Sequence, residues 1–139
     1  MTPNMISAVE AFALTVMAGP YSSIPCIMSG QAVPEKAKTY VRFWVIPSED
    51  VMPIGLGEDA KSRNVGIVQV DVYGPKDKGA GQTGNIAEYI RKQFHRLPLA
   101  VGSEGWVVFK DAGVKDMGDL GEEHRQMMRV PYRYDFKTA

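Results

Sequence analysis

Cysteine is almost absent: Cys26 is alone among 139 residues. A single thiol closes no internal disulfide, so an oxidised, cross-linked scaffold is excluded and a reducing compartment is expected. A surplus of either charge is also missing, since 16 Lys and Arg balance 16 Asp and Glu. Phosphate neutralisation needs a basic excess, so direct, sequence-specific nucleic-acid binding is not expected. No apolar run approaches the roughly 18 residues of a membrane span. The opening MTPNMISAVEAFALTV lacks a basic lead and is interrupted by Glu10, which makes it a poor signal peptide. Only two histidines occur, and no Cys/His spacing suits zinc.

What remains is an ordinary globular composition, 45% hydrophobic and 23% charged, at a length expected for one domain over residues 1–139. Valine is plentiful and leucine scarce, a bias toward strands. Thr2-Pro3 begins a helix over 3–18, with Ile6, Val9, Ala13 and Val16 on one face and Gly19-Pro20 after it. Ile24 to Met28 reads as a short edge strand, where Pro25 costs least. Tyr40 to Ile46 is a strand closed by Pro47, and residues 48–64 read as a long loop or extended hairpin tip. Val65 to Tyr73 is the strongest strand, with Gly66, Val68, Val70 and Val72 on one face, and it pairs antiparallel with 40–46. Gly74 to Gly81 reads as an exposed loop. Asn85 with Glu88 then forms a capping box ahead of Ile86, Ile90, Phe94 and Leu97, and Pro98 ends this second helix. Trp106 to Lys110 is a strand, residues 111–125 a second polar loop, and 128–136 a closing strand of strict period two. Pro131 there predicts an edge or a bulge. The fold class is α+β: a small mixed, largely antiparallel sheet with two helices packed on one face.

Chemistry-bearing patterns are few. Gly79 to Gly84 fits G-x-G-x-x-G, which in a dinucleotide fold lets a pyrophosphate approach a helix N-terminus. Here five residues separate the run from its strand, and a parallel sheet of several units has little room. Cys26 sits in an apolar setting and reads as an inert buried thiol. As a nucleophile it would need His95 or His124. His95 lies in the last turn of the second helix, near its dipole, and His124 among Glu122, Glu123 and Arg125 reads as solvated. Asp111, Asp116, Asp119, Glu122 and Glu123 do not follow the two-residue spacing of a calcium loop. Phe43, Trp44, Tyr132 and Tyr134 read as sheet core. No catalytic residues, cofactor or metal are expected.

Four stretches, YVRFWVIP (Tyr40 to Pro47), GIVQVDVYGP (Gly66 to Pro75), the glycine run into the second helix, and RVPYRYDF (Arg129 to Phe136), resemble the tail terminator proteins of long-tailed bacteriophages and prophages. The likeness follows most of the chain in order. It implies a non-enzymatic virion protein that caps the tail tube as a homo-oligomeric, usually hexameric ring, ends tube polymerisation and meets the head-tail connector. Its expected partners are itself, the tail tube protein and the connector protein, with no membrane. It would sit in the virion tail after assembly in the bacterial host cytoplasm. Charged loop residues are the expected contacts: Glu58, Asp59, Lys61, Arg63, Lys76, Lys78, Asp116 and Asp119. A neck or head-completion protein of the same fold is the alternative within this class; a small nucleotide- or phosphate-binding enzyme using Gly79 to Gly84 is the alternative from another.

Overall fold

The computed structural model describes residues 3–28, 31, 39–55, 60–75 and 79–137. The chain runs α1 (Pro3–Met17), β1 (Cys26–Ile27), β2 (Tyr40–Ile54), β3 (Lys61–Pro75), α2 (Gly79–Phe94), β4 (Pro98–Val101), β5 (Gly105–Phe109), β6 (Gly113–Leu120) and β7 (Glu123–Lys137). This is a mixed α+β fold. Its seven-stranded sheet has the order β1-β2-β3-β7-β5-β4, with β6 beside β5 on the far side of β7. The sheet curls into a half-barrel, so it is larger and more curved than the small sheet expected. Only β1 pairs in parallel among the described strands.

Period two builds the centre. Val68, Val70 and Val72 of β3 are wholly buried, with Val41 and Phe43 on β2 and Met128, Val130, Tyr132 and Tyr134 on β7 beside them. Both helices meet this same row. Phe12 of α1 lies edge-on to Phe94 of α2 at 5.1 Å, and Phe94 lies 5.2 Å from Phe109 and 6.1 Å from Phe43. The motif glycine Gly66 is required by this packing: a Cβ there would stand 2.6 Å from both the Ile46 carbonyl and the Tyr132 hydroxyl.

Several expectations change. The strand at Tyr40 does not stop at Pro47 but continues to Ile54, and the supposed 48–64 loop is mostly a hairpin. A register shift between Pro47 and Val51 absorbs the proline, and fully buried Asn64 donates to the Ser48 and Asp50 carbonyls at 2.8 and 3.1 Å. Residues 111–125 are likewise no loop. They hold β6 and the start of β7, an edge hairpin turning at Gly121. Edge strands carry charge to stay unpaired, which hides them from a hydrophobic pattern.

The second helix starts at Gly79, so Asn85 is an exposed interior residue and not its cap. Buried Thr83 extends the stripe Ile86, Ile90, Phe94 by one turn, and that contact outweighs the capping signal. Pro131 lies on central β7 and marks neither an edge nor a bulge. Its carbonyl accepts the Lys110 amide at 2.8 Å, so its nitrogen faces the crossing from β5 to β6 and the β3 ladder needs no proton there.

Candidate assembly surface

Strand alternation that sends valines to the helices sends the other residues of the three central strands outward. On that side stand Arg42, Trp44 and Ile46 of β2, Ile67, Gln69, Asp71 and Tyr73 of β3, and the odd-numbered residues of β7. No described helix covers them. Ile46 is 47% exposed, Met52 48%, and Trp106 of β5 55%. Trp44 belongs to this face, half-buried with the Arg42 guanidinium 5.1 Å over its ring, and is not sheet core. Next to Trp106, a cleft of about 370 Å³ opens between Lys61, Glu104, Asp135 and Lys137.

One carboxylate on this face is poorly paired. Asp71 is only 2% exposed, receives weak hydrogen bonds at 3.4 Å from Gln69 and Tyr73, and lies 3.8 Å from the Arg125 Nε. Burial pushes its carboxyl up, and the Arg125 charge only partly offsets this. A carboxyl raised on folding contributes stability below its unfolded value and loses it as pH rises through the folded one. Asp71→Asn is therefore expected to unfold at a higher temperature than the parent at pH 7 and to lose that advantage at pH 3, measured by calorimetry across pH. A lower melting temperature at pH 7 would show that the charge is needed.

The expected contact residues fall into three groups. Lys61 and Arg63 open β3, where Arg63 grips Asp135 with two bonds, 2.7 and 3.0 Å, that hold the Asp135 carboxyl low. Asp116 and Asp119 lie at the other end of the sheet, where the structure brings them together on His124. Arg63 and Gly74, the register partner of His124, are eleven residues apart on β3, about 37 Å at 3.4 Å per residue. Glu58, Asp59, Lys76 and Lys78 lie outside the described residues.

His124 corrects the sequence reading: it is a buried strand residue, not a solvated one. Its Nδ1 meets Asp119 Oδ1 at 2.7 Å. Its Nε2 stands 3.1 Å from Asp116 Oδ1 but at an angle that makes no hydrogen bond. Its alternation with Gln126 and Met128 was the available signal. His95 lies just past the end of α2 at Phe94, where its Nδ1 accepts the Ala112 amide at 3.1 Å and ties the helix end to the connection before β6.

The remaining patterns bring no chemistry together. Burial pushes the Cys26 thiol up to about 11, so it stays protonated at neutral pH. The glycine run Gly79 to Gly84 forms the first turns of α2, and β3 before it pairs antiparallel on both sides, so the parallel frame of a dinucleotide site is missing there. No group of three potential metal ligands occurs among the described residues. No helix of the described residues is long and apolar enough to cross a membrane.

No protein-family profile matches the chain, and no curated protein does. Eighteen chains of solved structures are similar. One of them superposes with a TM-score of 0.76 at 18% identity, over 98% of this chain and 96% of its own. That likeness shows the fold alone.

Proposed function

We propose that this protein is a ring-forming structural component of a long bacteriophage tail, which ends tube polymerisation and meets the head connector. One observation carries the reading. Three of the stretches that resemble tail terminators are adjacent strands: Tyr40 to Pro47 pairs in register with Gly66 to Tyr73, and Arg129 to Phe136 pairs along the other side of β3. Their inward residues make the core, and their outward residues make an open face with exposed Ile46 and Met52 beside it. Large exposed apolar residues on one face mark contact with other proteins. The two sheet edges are unlike, β1 with β2 on one side and β4 with β6 on the other, which suits the heterologous contacts of a closed ring.

The reading places the protein at the end of the virion tail, assembled in the host cytoplasm as a hexamer. The decisive experiment adds purified protein to polymerising tail tube protein and measures tube lengths by electron microscopy. Shortened tubes bearing a terminal ring are expected. Tubes of unchanged length without a terminal ring would end the proposal.

A further inference from the structure

The open sheet face is basic, although the chain as a whole is neutral. Arg42, Lys115, Arg125, Arg129 and Arg133 line neighbouring rows across β2, β6 and β7 and outnumber the acids of the same side, Asp71, Glu123 and Asp135. The Nε atoms of Arg125 and Arg133 are enclosed yet make no hydrogen bond, with the Asp71 and Asp135 carboxylates 3.8 and 3.9 Å away. Because the total charge is zero, an acidic surplus must lie elsewhere in the chain.

Part of that surplus is the β6–β7 turn. From Asp116 to Glu123 there are four acids and no base, and Asp116, Asp119 and Glu122 are exposed. The turn cannot serve its own chain's basic face in full. Arg129 and Arg133 are seven and eleven residues from Glu122 along one extended strand, about 24 and 37 Å at 3.4 Å per residue.

We infer that the acidic β6–β7 turn of one copy docks on the basic open face of the next, so that the side of the sheet away from α1 and α2 is the ring contact. The inference rests on the ring reading and names its surface. Charge complementarity sets the direction: face against face would set arginines against arginines, whereas face against turn is attractive and head-to-tail. The apolar residues of the face supply area, and the charges supply register. Such a contact weakens with salt.

Sedimentation of the full chain at low and high salt tests it. The wild type is expected to form closed oligomers that dissociate at least tenfold more readily in 0.5 M than in 0.05 M sodium chloride. Arg129→Glu with Arg133→Glu is expected to weaken association more than tenfold, and so is Asp119→Lys with Glu122→Lys. Glu122→Lys alone leaves the His124 contacts untouched and serves if the double turn variant does not fold. Each variant repels itself, but an equimolar mixture pairs basic turn with acidic face and acidic turn with basic face, so mixing is expected to restore the oligomer. A wild type that stays monomeric at about 1 mM overturns both this contact and the ring. A wild type that assembles while the face variant assembles equally well overturns the contact and leaves the ring standing. A face variant that is not rescued by mixing, or an association displaced only by duplex DNA, assigns the face to another partner and overturns the contact too.

Discussion

Val70→Asp abolishes the folded state. Val70 is wholly buried on the central strand, with Phe43 and Met128 as its register partners. The described arginines of β2 and β7 project from the other face, so none of them pairs with a carboxylate at that row. An uncompensated buried carboxylate costs several kcal/mol even after relaxation, and the lost valine burial adds about 2. A domain of this size is stable by only about 5–15 kcal/mol in total. Circular dichroism at 25 °C is expected to show an unfolded chain for Val70→Asp and a folded one for Ile46→Asp, whose side chain faces the open side. Val70→Ala, which introduces no charge, is expected to stay folded at a cost of about 2 kcal/mol. A cooperative transition near the wild-type temperature for Val70→Asp would overturn the assignment of this face as the core. Tyr132→Asp is expected to behave likewise, since Tyr132 is 1% exposed on β7.

Phe94→Ala costs about 4 kcal/mol and lowers the melting temperature by about 15 °C. Its ring is the point where the two helices and the sheet meet: Phe12 and Phe109 stand edge-on to it and Phe43 is tilted against it. Truncation removes these three ring contacts at once and leaves a cavity that rigid strands on one side cannot close. Differential scanning calorimetry reads the shift directly, and Phe94→Leu is expected to recover about half of it by refilling the volume. A change below about 1 kcal/mol for the alanine variant would mean that α1 and α2 pack on the sheet independently of this ring.

Much of the core is legible in the sequence. The alternation Val68, Val70, Val72 and the closing run Met128 to Phe136 both specify which side is dry, because a one-residue slip would expose every valine. The first helix ends at Met17, one residue short of the expected 18 and just ahead of Gly19-Pro20. Less was readable where charge or glycine masked regular structure. Strand β6, with Lys115, Asp116 and Asp119, looks like a loop because an edge strand has no second neighbour to demand apolar residues. Pro47 reads as a stop and Pro131 as an edge or a bulge, yet one sits beside a register shift and the other faces a gap between two partner strands.

The candidate surface was the least legible part. Among the described residues, the contacts read from loop charges are split between opposite ends of the sheet, and Asp116 and Asp119 come together on a histidine that reads as solvated. The basic face has no local signature, because its members are spread from Arg42 to Arg133 and the chain's neutrality conceals the separation.

By itself the sequence determined the mixed class of the fold, its central strands and their inward faces, since those follow from local period and from the cost of wetting a valine. Which strands are neighbours, where prolines cease to matter, and how opposite charges are parted onto a face and a turn were decided only by the tertiary structure. Such placements depend on pairings between residues distant along the chain, and no local pattern encodes them.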